Sequence, residues 1–484
     1  MRWRPGPGFA FFTALALACA SASAQDRVTA GAGDFAAGTL RGCDTDLLYL
    51  NQMFGWQTSW PRRWEALASA SDADVAAAIA LWRTASAALE ADRRALSATD
   101  PRRIRAPRVV VARVLAQLDA LTARLGQSAP PLRPGVAPAL HAQWTELFAR
   151  EIAPAIARHA AFLRPIYRPG ASDGLGDAAC FRKAVRRSTS LDIAPERIEA
   201  IGRRLLAQSG RQLARLYHVP LGQLPRLVAR LRDARDPGFT EDRLVQVSQA
   251  AIARAEAALP TMFARPLRAP VTVRPMARDM EASFPAGFYE AASGDAPAAY
   301  VVNRSRPAER VLMAEVIAFH ETLPGHHIQA ALGYPEGTFN SGFLEGWGIY
   351  AEYLADEMGL YSNARARAGM MAKHLWAASR LIVEPGLHLH GWTRAQAIAF
   401  MRAHTALSDA EIALEVDRYI ALPGQSLSYM LGYDRIRAAR SYAEARLGHR
   451  FDVRRFHEMV LGAGSRPLDR MYAEVVRWAA NGGA

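Results

Sequence analysis

The chain has 484 residues, half of them hydrophobic, and a formal net charge of +13. Only Lys183 and Lys373 among its 59 basic residues are Lys, and the Arg are scattered among Asp and Glu, with no Arg/aromatic stripe or binding motif. That pattern excludes a nucleic-acid binder in favour of a solvated helical surface in an Arg- and Ala-rich composition.

Residues 1–24 read as a secretory signal. Arg2 and Arg4 form a positive start, Phe9 to Ala18 an apolar run, and Ala22-Ser23-Ala24 a cleavage site before Gln25. The run is short for a membrane span, and no other stretch reaches ~18 uncharged apolar residues. The mature chain is therefore expected to be soluble, without an integral membrane span, and periplasmic or secreted. Ala16-Leu17-Ala18-Cys19 is a degenerate lipobox, so a lipoprotein anchored through Cys19 is the alternative. Cys43 and Cys180 form an even pair in an oxidising compartment. A disulfide between them is expected, with two unpaired structural cysteines as the alternative.

Residues 25–484 are expected as one helical domain, with an N-terminal helical part at 25–265 and a metal-site part at 266–484. Helical periodicity covers Trp64 to Leu96, Val109 to Leu125, Leu140 to Leu163, Ala194 to Leu216, Pro225 to Leu231 and Glu241 to Leu259. Pro154 should break or kink the third. Asp72, Thr240 and Ser408 are candidate caps. Loops fall at Pro130 to Gly135 and Arg168 to Ser172. Strand signals are confined to Val271 to Val273 and Ala299 to Asn303. The fold class is mainly α, with a small mixed or antiparallel sheet near 270–303.

The densest chemistry follows that sheet. Val311 to Phe319 reads as a helix that runs into His320-Glu321-Thr322-Leu323-Pro324-Gly325-His326-His327; Glu345 to Leu354 reads as another helix. Imidazoles, a carboxylate ligand and a free carboxylate beside the first His are the donor set of a catalytic zinc site. The spacing differs from H-E-x-x-H, whose two His share a helix face at i and i+4. Here i+4 is Pro324, which clashes with the His320 carbonyl in a continuous helix. In a straight helix His326 would sit ~120° away from His320, and His327 ~10 Å along the axis. The Pro-Gly pair must therefore break the helix and return a later His to His320. The residues alone leave His326 and His327 open.

HETLPGHHIQ, FLEGWGIYAEYLADEMG, RLIVEPGLHLHGWTRAQA, LPGQSLSYMLGYDRI and FHEMVLGAGSRPLDRM together resemble the bacterial domain of unknown function 885 family, whose members are similar to mostly helical gluzincin metallopeptidases. The motifs span roughly 280–484. Glu384 stands where the resemblance leads us to expect Asp. The resemblance implies a large multi-helix gluzincin-like fold with a deep cleft, a Zn2+ cofactor and peptide substrates. The His-x18-Glu spacing from His326 to Glu345 matches the gluzincin aminopeptidase branch and implies His320, His326 and Glu345 as ligands, with Glu352 a lesser option to Glu345. Glu321 is then the general base. His327 is expected to donate to an outer carboxylate such as Glu352. Tyr300 to Asn303 is a candidate substrate strand by edge pairing, with a structural hairpin as the alternative.

An oxyanion donor is also needed. Tyr429 and His388 are the candidates, with Tyr433 a rival to Tyr429. Arg380 and Arg418 could bind a substrate carboxylate, although structural ion pairs are the simpler reading. Trp347, Tyr350 and Tyr353 read as a packed core face. The functional expectation is a secreted zinc peptidase. Its alternatives are a zinc hydrolase of another amide and a non-catalytic zinc-binding or cell-envelope interaction protein.

Overall fold

The computed structural model describes residues 50–53, 55–58, 60–61, 71–98, 106–167, 173–265, 269–276, 278–281, 286–292, 297–333 and 340–483. The leader, the lipobox with Cys19, Cys43 and the 168–172 loop lie outside the described residues. Cys180 is disulfide-bonded. The described residues are mainly helical, with one small three-stranded sheet. None of their helices is long and apolar enough to cross a membrane. Contacts divide the chain into two compact units, Met1–Gly176 and Asp177–Ala484.

Among the described residues the secondary-structure elements of the first unit are all helices. Helix α1 (Asp72–Ser97) is capped by Ser71, not by the expected Asp72; Ser71 and Asp74 form a capping box. Ser71 wins because its side chain reaches the Asp74 N–H, whereas Asp72 is already inside the first turn. Helix α2 (Arg108–Gln127) follows. The expected break at Pro154 is present: α3 (Pro138–Leu147) passes through a π-turn at Phe148–Ile152 into α4 (Ala153–Ile166), with Pro154 in the first turn of α4. A proline lacks the N–H that a regular ladder needs, and the widened turn absorbs the defect. Trp82, Trp144 and Phe148 are fully buried together, with Phe148 4.6 Å from the Trp144 ring and 5.5 Å from Trp82.

The second unit opens with α5 (Ala178–Thr189), α6 (Pro195–Leu216), α7 (Leu224–Asp233) and α8 (Glu241–Ala258), the last capped by Thr240 as expected. The sheet follows: β1 (Val271–Pro275), β2 (Gly287–Glu290) and β3 (Ala298–Val302), in the order β1-β3-β2. It is mixed, with β1 parallel and β2 antiparallel to β3. This overturns the expectation that Tyr300 to Asn303 offers a free edge. β3 is central, its hydrogen bonds are taken on both sides, and all five of its residues are buried. The edges are β1 and β2.

The site helices are α9 (Ala314–Glu321), α10 (His326–Gly333), α11 (Ser341–Glu357), α12 (Ala364–His388), α13 (Arg394–His404), α14 (Asp409–Ala421) and α15 (Ser428–Leu447); α16 (Val453–Leu461) and α17 (Leu468–Ala480) close the unit. Ser408 caps α14 with a capping box, as expected. Two crossings hold these helices close. At the first, a Cβ on Gly202 of α6 would fall 2.7 Å from the Leu381 Cβ of α12. At the second, a Cβ on Gly346 of α11 would fall 2.5 Å from the Gly432 Cα of α15, and one on Gly432 1.9 Å from the Gly342 carbonyl oxygen. There the two backbones touch, which no larger residue permits.

Candidate metal centre

The His320 to His327 segment folds as its chemistry requires. Helix α9 ends at Glu321, and the chain turns through Thr322 to Gly325 before α10 begins at His326. A Cβ on Gly325 would lie 1.9 Å from the His320 carbonyl oxygen, so the turn closes only over glycine. The Trp347 Nε1–H donates to the Pro324 carbonyl at 3.0 Å and ties this turn to α11. Trp347 and Tyr350 are fully buried, in keeping with the core reading.

The turn brings the His326 ring to 4.8 Å from the His320 ring, at 81°. The two imidazoles and Glu345 offer donor atoms that all lie within 4.8 Å of one another. The Glu345 Oε2 is 3.4 Å from the His320 Nε2 and 3.8 Å from the His326 Nε2. Both Nδ1 atoms are engaged behind the cluster: His320 with the Glu352 Oε1 at 2.6 Å, His326 with the Gln329 Oε1 at 2.8 Å. Outer partners of this kind fix the tautomer that presents Nε2 to a metal. Gly348, one turn after Glu345, completes the cradle. A Cβ there would meet the His320 Cε1 at 2.4 Å.

His327 goes elsewhere. Its Nδ1 meets the Tyr289 hydroxyl at 3.0 Å and its Nε2 the Ala269 carbonyl at 2.9 Å. The expected His327–Glu352 pairing is thus replaced by His320–Glu352. Glu352 is fully buried; Lys373 also donates to its Oε1, and the His374 Nε2 lies 3.2 Å from its Oε2.

Glu321 is beside the cluster but not in it. The Tyr289 N–H of edge strand β2 donates to its Oε2 at 2.9 Å. Burial raises the Glu321 pKa, and the neighbouring Glu345 adds to this against His320, His326 and Lys373. Burial also pushes Glu345 up, but the His320 hydrogen bond and the His326 and Lys373 charges outweigh it and hold Glu345 at about 2. For His320, burial and Lys373 push down, yet Glu345 and Glu352 prevail and raise it to about 9. With the imidazoles neutral, three carboxylates (Glu321, Glu345, Glu352) face one ammonium (Lys373). That net charge suits a divalent cation. Tetrahedral zinc with ligand bonds of ~2.0–2.2 Å needs donors roughly 3.3–3.6 Å apart; the two Glu345–imidazole pairs, at 3.4 and 3.8 Å, are close to that, and the two imidazole donors lie within 4.8 Å of each other.

Tyr429, in the first turn of α15, stacks on His320 at 6.2 Å and 18°. Its hydroxyl makes no hydrogen bond to the described residues. Burial raises its pKa, and Glu345 is the strongest charge acting on it. The structure thus brings Glu321 and Tyr429 to the cluster, but not His388. The His388 Nε2–H donates to the Tyr419 carbonyl at 3.1 Å, and the ring packs 5.5 Å from Phe181. Burial lowers its pKa to about 4, so it is a neutral core residue rather than an oxyanion donor. Tyr433 faces His374 and Tyr353. Glu384 accepts from the Gly424 and Ser426 N–H groups and the Ser426 hydroxyl, pinning the loop that leads into α15.

Sequence reasoning missed Tyr289, Gly348, Lys373 and His374. A signal for Lys373 existed: it is one of two Lys in an Arg-rich chain, set within the apolar run Met370 to Ala378.

The chain belongs to the family described as bacterial protein of unknown function (DUF885), whose model matches residues 11–475. It is also similar to two solved structures, each described as a "putative lipoprotein". The one from Colwellia psychrerythraea is 20% identical with a TM-score of 0.77, covering 94% of this chain and 90% of that one. The one from Shewanella oneidensis, described as of unknown function, is 18% identical with a TM-score of 0.63, covering 83% and 78%. At these identities the likeness concerns the fold. No curated protein matches the chain.

Proposed function

We propose that this protein is a zinc-dependent hydrolase of peptide bonds that acts outside the cytoplasm. One observation carries the reading: two imidazoles and a carboxylate converge through a purpose-built turn, and a further carboxylate that is not part of the trio sits next to them. A protein that only stores or carries zinc has no need of Glu321. In this reading His320, His326 and Glu345 hold the ion. The ion supplies Lewis acidity towards a carbonyl and acidifies water. Glu321, aimed by the Tyr289 N–H, takes the proton from the attacking water and passes it to the departing amine. Its raised proton affinity suits both transfers. The free Tyr429 hydroxyl donates to the oxygen on which negative charge develops. The export signal and the lipoprotein description of both structural relatives support a location beyond the cytoplasm.

The test pairs activity with metal content. Glu321→Gln keeps size but removes the base, so zinc content should match wild type while turnover of a mixed peptide library, read by mass spectrometry, falls about 10²–10⁴-fold. His320→Ala should lose both. A Glu321→Gln protein that cleaves peptides as fast as wild type sinks the mechanism. A wild type that binds zinc yet cleaves nothing sinks the peptidase assignment.

A further inference from the structure

The Tyr429 ring meets two different groups. One face stacks on His320, as described; over the ring also stands the Arg380 guanidinium, with Cζ 4.5 Å from the centroid. The Arg380 Cζ also stands over the Trp376 ring, 4.3 Å from its centroid. The Arg380 side chain is 3% exposed. It belongs to a knot that unites α12, α14 and the start of α15. The Arg380 Nη2 donates to the Glu415 Oε2 at 3.1 Å, and the Arg380 Nε to the Tyr419 hydroxyl at 3.1 Å. The Tyr419 hydroxyl in turn donates to the Glu415 Oε2 at 2.8 Å. Arg418 grips the same carboxylate with Nε at 3.1 Å and Nη2 at 2.8 Å. Its Nη1 donates to Gln425.

The direct ion pairs in this knot do not balance. Two guanidiniums share one carboxylate, Glu415, while Glu384, the other carboxylate on which Arg418 acts, is spent on the Gly424 and Ser426 N–H groups and the Ser426 hydroxyl. Glu415 is saturated: its Oε2 receives three donors and its Oε1 one. The Arg380 Nη1 makes no hydrogen bond to the described residues. A buried ion pair needs one Arg for one Glu, and an uncompensated buried cation is costly. The shared carboxylate and the unspent Arg380 Nη1 therefore leave the knot suited to an anion that is not part of the chain. The knot stands one tyrosine ring away from the candidate metal centre. The Tyr429 ring is 6.2 Å from the His320 ring and 4.5 Å from the Arg380 Cζ, so at ~3.3–3.6 Å per residue no more than about three residues of substrate span the gap.

We propose that Arg380 and Arg418 form a subsite for the α-carboxylate of a peptide, so that substrates are cut within about three residues of a free C-terminus. The substrate class rests on the hydrolase reading, but the subsite is testable without it. Tyr429 sits between the carboxylate and the reacting carbonyl and ties binding at one to chemistry at the other.

The experiment compares short peptides with free C-termini against the same peptides C-terminally amidated, on the full chain. Binding is measured by calorimetry on metal-free and zinc-loaded protein, and turnover by mass spectrometry. Free acids should bind about 10- to 100-fold more tightly than amides, the scale of charge-assisted hydrogen bonds. Cleavage should release no more than about three C-terminal residues. Arg380→Lys and Arg418→Lys, which keep the charge and lose the fork, should each erode the acid preference while zinc content holds. Equal binding of acids and amides overturns the subsite, whatever the turnover. An amide whose last side chain is Asp or Glu and that binds like the free acid also overturns it, in favour of an acidic side-chain pocket. Acid-selective binding with no cleavage of any peptide keeps the subsite and removes the peptidase reading.

Discussion

Gly348→Ala isolates the geometry of the candidate metal centre with a single methyl group. The added Cβ would stand 2.4 Å from the His320 Cε1, 2.7 Å from Nε2 and 2.8 Å from Nδ1. Ordinary contact begins near 3.4 Å, so the ring must retreat by about 1 Å, whereas metal–ligand distances tolerate ~0.2 Å. The ring cannot retreat freely, because its Nδ1 is held 2.6 Å from Glu352. Stability receives two opposed contributions. Ala is better than Gly in a helix by about 1 kcal/mol, while overpacking costs about 1–3 kcal/mol. The melting temperature should therefore move little, and metal affinity should move a great deal. The expected loss is at least 10- to 100-fold, the cost of disturbing an outer partner alone. The assay is zinc competition against a fluorescent chelator, with Gly126→Ala as the control, since a Cβ there meets nothing within 4 Å. Wild-type zinc affinity in Gly348→Ala would refute the placement of His320 as a ligand through Nε2.

Other outcomes follow from the same geometry. Glu352→Gln should weaken zinc binding about 10- to 100-fold in the same competition assay, because His320 loses the charged acceptor on its Nδ1. Tyr429→Phe should leave zinc content unchanged and lower kcat about 10²–10³-fold, the cost of one oxyanion donor; an unchanged kcat removes Tyr429 from the mechanism. Acid should destabilise the fold through buried neutral histidines. Burial, with Arg440 adding to it, lowers His457 to about 3 against the Met262 hydrogen bond, and burial lowers His388 to about 4. Both folded values lie below the unfolded value of ~6.5. Their contribution is therefore complete above pH 6.5 and is lost as pH falls towards 4, by about 2 kcal/mol per histidine at pH 5. Melting curves from pH 7.5 to 4.5 should show that slope, and His457→Gln should flatten it; an equal slope in that variant excludes His457 as a source.

The parts of the site that could be read from the sequence were those where local chemistry leaves one solution. Pro324 cannot continue a helix through His320, and Gly325 removes the side chain that would block the return. The bend and the convergence of two His were therefore legible before any fold was known. Thr240 and Ser408 were legible as caps for the same reason, while Ser71 and Asp72 are chemically alike neighbours and only the geometry of the first turn separates them. What stayed hidden depends on long-range contact. Strand β2 is four residues long and starts with Gly287, so no alternation announces it. Without it, β3 read as an edge, and Tyr289, which aims Glu321, went unseen. Lys373 and His374 meet Glu352 only because α12 packs beside α11. His388 looked chemical because it is a His in a matching motif, yet it is buried beside Phe181 and its Nε2 donor is spent on the Tyr419 carbonyl.

The contact of Gly346 with Gly432 bears on how the molecule moves. Where two helices meet through side chains, they can slide by exchanging rotamers. Here peptide groups meet, and a shift by one residue would drive a side chain into the opposing backbone. Helices α11 and α15 therefore travel as one piece, and Glu345 keeps its distance from Tyr429 through any motion of the second unit. Any rearrangement around the cluster would then fall to the edge strand β2 and to the turn between His320 and His326. A thermal or evolutionary drift that loosens the rest of the unit would spare this pair until last.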